Sequence, residues 1–168
     1  FMPLFVSLIA PGFKSDPEKF ILATDLTRIT FPFILFISLA SFFSAILNSH
    51  NKFAAASAAP IILNIVLIII LLFAKYLDDH LVIYMSYGVS IAGFIQMIFL
   101  ILVLKKIYKP QFKVNLNIDN KTKSFFKKLL PSIFSSGVTQ VNILIGTIIA
   151  SFQAGAVSYL YYADRIYQ

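Results

Sequence analysis

The 168-residue chain is 59% hydrophobic and only 12% charged, with a mean hydropathy of +0.86. Soluble domains carry about a quarter charged residues, so the composition points to a polytopic membrane protein of all-α class. The formal charge of +7 sits mostly in one stretch that lacks the basic helix or aromatic platform needed to bind nucleic acid, and nucleic acid is set aside as a partner.

Cysteine is absent, which removes disulfides and thiolate metal sites. His50 and His80 stand in short loops without partners at ligand spacing. No metal and no cofactor is expected.

Residues 1–10 are apolar but too few to cross a bilayer, which takes about 20 residues; they read as the end of a span. The chain starts and stops inside apolar runs, without an initiating Met or a signal-peptide pattern, as expected of an internal piece of a longer protein. Pro11-Gly12 closes the first run, Lys14 to Lys19 form a polar turn, and a short amphipathic segment with Asp25 and Arg28 follows. A first complete span is predicted over 29–47, with Pro32 in its first turn, where a missing N–H matters little. Ser38, Ser41 and Ser44 mark one stripe of that helix. Such a stripe packs against a neighbouring helix or, alternatively, lines a cavity.

After the polar turn Asn48–Lys52, a second span is predicted over 53–74. Pro60 within it should kink the helix or free a carbonyl, and Asn64 is placed to take up that group. A third span over 81–104 carries Gly88 and Gly93, which admit a neighbouring helix or a bend. Gln96 near mid-span needs a partner within protein, since lipid offers none. A fourth span over 129–151 holds Ser135, Ser136, Gln140, Asn142 and Thr147 and is too polar for a lipid-facing helix. Gln140 and Asn142 are two apart and cannot share a face. A last, truncated span covers 154–168.

Between the third and fourth spans lie Lys105, Lys106, Lys109, Lys113, Lys121, Lys123, Lys127 and Lys128 against one acid, Asp119. Such a stretch is retained in the cytoplasm by the positive-inside rule, and anionic membrane lipids are its expected partners. Ser124 to Leu130 has the pattern of a segment lying on the membrane surface. The turn Asn48–Lys52 is then cytoplasmic too, while the segments 14–28 and 75–80 are external; neither outer segment has a clear basic excess.

The last helix therefore starts outside and runs inward. At about 1.5 Å per residue, Arg165 lies roughly 16 Å along it, near the middle of a hydrocarbon core about 30 Å thick. An arginine at that depth is costly and by default marks a substrate or ion path facing the bundle interior or a watery cavity. Its guanidinium fork suits phosphate oxygens, so the expected ligand is anionic. The competing reading pairs Arg165 with Asp164 or another buried acid. Sequence neighbours diverge by about 100° on a helix, which turns Asp164 toward a different helix.

The pattern Phe31-Pro32, then Ile46-Leu47-Asn48-Ser49-His50, Phe53, Ala59-Pro60 and Leu63-Asn64-Ile65 resembles the fourth and fifth spans of the MurJ/MviN lipid II flippases. Gly93 followed by Gln96, and Leu130-Pro131 followed by Gln140, are similar to that family as well. Ala150-Ser151-Phe152, Gly155, Val157-Ser158 and Tyr161-Tyr162-Ala163-Asp164-Arg165 resemble its seventh and eighth spans.

The resemblance implies a fragment of a two-lobed, fourteen-helix transporter fold. Residues 1–104 would end the N-terminal lobe, 105–128 would form the cytoplasmic linker, and 129–168 would start the C-terminal lobe. It also implies a monomeric, non-enzymatic transporter of the bacterial inner membrane that carries lipid II, an undecaprenyl-diphosphate-linked precursor, outward by alternating access. Arg165 and Asp164 would belong to the substrate site, with Gln140, Asn142 and Ser158 as secondary cavity or packing positions. Family members often place an acid or amide before the threonine matching Thr147. Here the residue is Gly146, which puts sodium coupling through this helix in doubt.

An exporter of a different polyprenyl-linked glycan is the alternative. A drug exporter would want acids in place of Arg165. A membrane-embedded enzyme acting on polyprenyl diphosphates would need clustered acids or histidines, and Asp78-Asp79 is the one acidic pair.

Overall fold

The computed structural model describes residues 1–74, 81–107 and 120–167. The expected turn at Lys75–His80, and Lys109 and Lys113 of the lysine-rich stretch, lie outside the described residues. All regular structure among the described residues is helical: α1 (Met2–Ile9), a 3₁₀ turn (Pro11–Ser15), α2 (Pro17–Ser49), α3 (Phe53–Ala74), α4 (Leu81–Ile107), α5 (Asn120–Ala150) and α6 (Ala156–Tyr167). Among the described residues four helices are long and apolar enough to cross a membrane: Pro17–Ser49, Phe53–Ala74, Leu81–Ile107 and Thr122–Ala150.

The predicted starts of the second and third spans agree with α3 and α4, whereas α2 and α5 begin well before their apolar runs. The cause at α2 is local. The Lys19 N–H donates to Asp16 Oδ1 at 3.1 Å, an N-cap, and Pro17 supplies a preset φ at the first helical position. The helix therefore nucleates in polar sequence and runs through Asp25 and Arg28, whose side chains pair at 3.0 Å on an exposed face.

Pro32 consequently lies inside α2 rather than in its first turn, and its missing N–H leaves the Arg28 carbonyl without an intrahelical donor. Likewise Ser124–Leu130 is continuous with the span in α5, and Pro131 is internal to that helix. The helix α3 also runs unbroken through Pro60. Asn64 makes no side-chain hydrogen bond among the described residues, so its expected capping role is not taken up there.

Two compact units divide the chain, residues 24–111 and residues 1–23 with 112–168. In the first, Ala40 and Leu47 of α2, Ala59 of α3, and Leu100 and Leu104 of α4 form the buried core. The helix α4 is central: 33% of its apolar window is buried, against 6% for α2 and α3. Gly88 and Gly93 admit neighbours, as their sequence positions suggested. A Cβ on Gly88 would overlap Ile70 of α3, and one on Gly93 would overlap the Phe33 ring of α2. Ser90 Oγ donates to the Ile29 carbonyl at 2.6 Å, and Phe36 meets Phe94 edge-on at 5.3 Å.

The turn after α2 is a Schellman motif. The Lys52 N–H donates to the Leu47 carbonyl and the Asn51 N–H to the Asn48 carbonyl. Asn51 takes the left-handed position at φ 57°, which asparagine tolerates better than most side chains.

In the second unit, α1 and the 3₁₀ turn pack on α5. The Gly12 N–H donates to Ser151 Oγ at 3.0 Å, and a Cβ at Gly12 would overlap the Ser151 backbone. Ser151 is only 3% exposed, while large apolar side chains elsewhere on both units face outward. Apolar surface on that scale marks a face for lipid or for further protein.

Candidate functional site

The residues singled out by sequence cluster on α5 and α6, which are joined through a tight turn. Gly155 in that turn adopts φ 76°, a left-handed conformation that glycine reaches without steric cost, and Tyr159 folds over it. Ser151 anchors the turn, since its Oγ donates to the Ile148 carbonyl at 2.7 Å while accepting from Gly12.

Between α5 and α6 lies a cavity of about 330 Å³ whose walls include Asn142, Thr147, Val157, Leu160, Tyr161 and Asp164. Gly146 also lines it, and a Cβ there would come within 3.3 Å of Leu160. The missing side chain lets α6 approach α5, and a carboxylate at that position would compete with Leu160 for the space. The Thr147 hydroxyl is turned back to the Ile143 carbonyl at 2.9 Å.

The structure thus brings Asn142 and Asp164 to one cavity. Arg165 and Ser158 are exposed residues of α6 and Gln140 is an exposed residue of α5; none of the three is in that cavity wall. One step along α6 from Asp164, Arg165 turns to a different face, as the 100° step predicts.

There its Nε donates to Tyr161 Oη at 3.3 Å, and the guanidinium carbon stands 5.4 Å from the Tyr161 ring centroid, a cation–π geometry. Among the described residues Arg165 makes no salt bridge within 4 Å, although the neighbouring Asp164 carboxylate adds to the stabilisation of its charge. Tyr161 is the partner of Arg165 that sequence reasoning did not single out as an individual. Its i, i+4 spacing to Arg165 was the signal that could have found it. No cluster of three or more His, Cys, Asp or Glu residues capable of holding a metal occurs among the described residues.

Chemically, α6 offers a guanidinium oriented by an aromatic hydroxyl, and beside it a cavity with one carboxylate and one carboxamide. The first suits phosphate oxygens; the second suits hydrogen-bond donors.

A family model described as lipid II flippase MurJ matches residues 1–168. The chain is 42% identical over 172 residues to the probable lipid II flippase MurJ of Rickettsia prowazekii (strain Madrid E), an alignment covering 100% of this chain and 33% of that protein. It is 41% identical to the probable lipid II flippase MurJ of Rhizobium tropici, covering 99% of this chain and 32% of the relative. The lipid II flippase MurJ of Burkholderia cenocepacia is 34% identical, with 96% and 32% covered. The chain therefore spans about a third of the length of the curated relatives it matches.

Proposed function

The chain belongs to the lipid II flippase MurJ family, and from that premise we propose that it is part of a multi-pass transporter of the bacterial cytoplasmic membrane that moves lipid II from the inner to the outer leaflet. The observation that carries this reading is the family match along residues 1–168. The task is physical rather than covalent. A polar headgroup cannot pass through hydrocarbon unaided, so the protein encloses it in a polar path and exposes that path to one side at a time, without bond chemistry.

In this reading Arg165 holds the lipid diphosphate, whose oxygens match a guanidinium fork, and Asp164 belongs to the same substrate site. The absence of a salt bridge to Arg165 among the described residues supports the assignment, because a guanidinium already matched by a carboxylate has little left for a phosphate. Tyr161 orients it. Residues 1–104 and 129–168 belong to two lobes joined by the segment 105–128, which lies in the cytoplasm against anionic lipid headgroups, and the transporter works as a monomer. The turn between α2 and α3 then faces the cytoplasm, and α6 enters the membrane from outside.

The test is complementation. In the full-length protein, Arg165→Ala and Arg165→Lys are expected to abolish rescue of a strain depleted of its lipid II flippase, while the protein still inserts. Normal growth with either variant overturns the role of Arg165.

A further inference from the structure

A second polar feature lies in the unit formed by α2, α3 and α4. Gln96 is 5% exposed, and its Oε1 is sealed from solvent without a hydrogen-bond partner among the described residues. Its side chain forms part of the wall of a cavity of about 350 Å³, shared with Ser41, Ser44, Asn48, Ala56 and Pro60. Buried polar groups are nearly always satisfied; Oε1 is closed off from the cavity as well, so the carboxamide N–H₂, also without a partner among the described residues, is the group left to meet an occupant that hydrogen-bonds.

The other walls have the same character. Ser38 turns its hydroxyl back to the Ile34 carbonyl at 2.7 Å, whereas Ser41 and Ser44 make no side-chain hydrogen bond among the described residues. Pro60 has no N–H, which removes the intrahelical partner of the Ala56 carbonyl.

The lining holds hydroxyls, two carboxamides and no ionised side chain. A diphosphate would find no cation there, and an ammonium or metal ion would find no carboxylate. The complementary ligand is uncharged and carries both donors and acceptors, as sugar hydroxyls and amides do. The volume falls within the range of small-ligand sites, about 300–1,000 Å³. Asn48 lies in the last turn of α2 and Ala56 in the first turn of α3, so the cavity reaches toward the α2–α3 turn, the side from which the headgroup is loaded in the reading above.

We propose that this cavity is a subsite for the uncharged sugar or amide portion of the transported headgroup, chemically distinct from the diphosphate hold assigned to Arg165. The assignment rests on the transport reading.

The experiment uses the full-length protein in lipid nanodiscs and two probes: undecaprenyl diphosphate, and lipid II with its amino-sugar and peptide headgroup. Gln96→Met keeps the shape and removes the carboxamide. Because Gln96 is buried, the Ser41→Ala/Ser44→Ala double variant serves as a second arm that leaves the core intact. Each is expected to weaken lipid II binding about three- to tenfold, the worth of a hydrogen bond or two, with undecaprenyl diphosphate binding unchanged.

Equal loss for both probes, or no loss for either, overturns the subsite and leaves Gln96 as a packing contact for a further helix. Wild-type protein that binds neither probe overturns the transport reading itself.

Discussion

Arg165 and Tyr161 are one turn apart on α6, and the geometry of the pair makes the tyrosine a positioning residue for the guanidinium. In the full-length protein, Tyr161→Phe keeps the ring face and loses the hydroxyl acceptor, whereas Tyr161→Ala loses both. Affinity for undecaprenyl diphosphate is therefore expected to fall slightly in the first and further in the second. Equal affinities across the three proteins would remove Tyr161 from the site. At the other end of the same unit, Gly12 rests on the backbone of Ser151, with no room for a side chain. Gly12→Ala is expected to destabilise by about 1–3 kcal/mol, the usual range for overpacking a tight contact. Thermal unfolding of purified protein checks it, and an unchanged midpoint would contradict the close approach.

The helices show where hydropathy informs and where it is blind. The starts of α3 and α4 could be read from sequence because each coincides with a change from polar turn to apolar run. The starts of α2 and α5 could not, because a helix propagates by hydrogen bonds and caps, and it passes through polar residues without regard to the membrane. Asp16 is the device at α2. Asp16→Ala is expected to cost about 1 kcal/mol and to speed hydrogen exchange in residues 17–28 while leaving 30–49 protected. Uniform exchange along α2 would refute a local cap.

Interhelical packing was partly legible. Gly88 and Gly93 announced close neighbours, but their partners Ile70 and Phe33 are set by tertiary geometry. Ser90 gave no sign of its bond to Ile29. Ser90→Ala should lower stability by about 0.6 kcal/mol, the average for such bonds between membrane helices, measurable as a shift in the unfolding midpoint; no shift would mean that lipid or water replaces it. At the site, Asn142 and Asp164 could be named from sequence, but their sharing of one cavity depends on how α6 folds back on α5 across Gly146 and Gly155. Gln96 was legible as a group in need of a partner, and it is still without one among the described residues.

For the molecule as a whole, the proposed orientation of every span follows from the distribution of lysines, and in that orientation Arg165 comes to the centre of the bilayer. The proposed role of Arg165 requires that guanidinium to face water and an anionic ligand rather than acyl chains. The chain has no cysteine, so a single reporter can be placed there. In the full-length protein freed of any other cysteine, Arg165→Cys is labelled with a water-soluble methanethiosulfonate reagent, with and without undecaprenyl diphosphate. Reaction with the aqueous reagent, slowed by the lipid diphosphate, is the predicted result. A thiol that reacts solely with a membrane-partitioning maleimide, at a rate the diphosphate does not change, would contradict it.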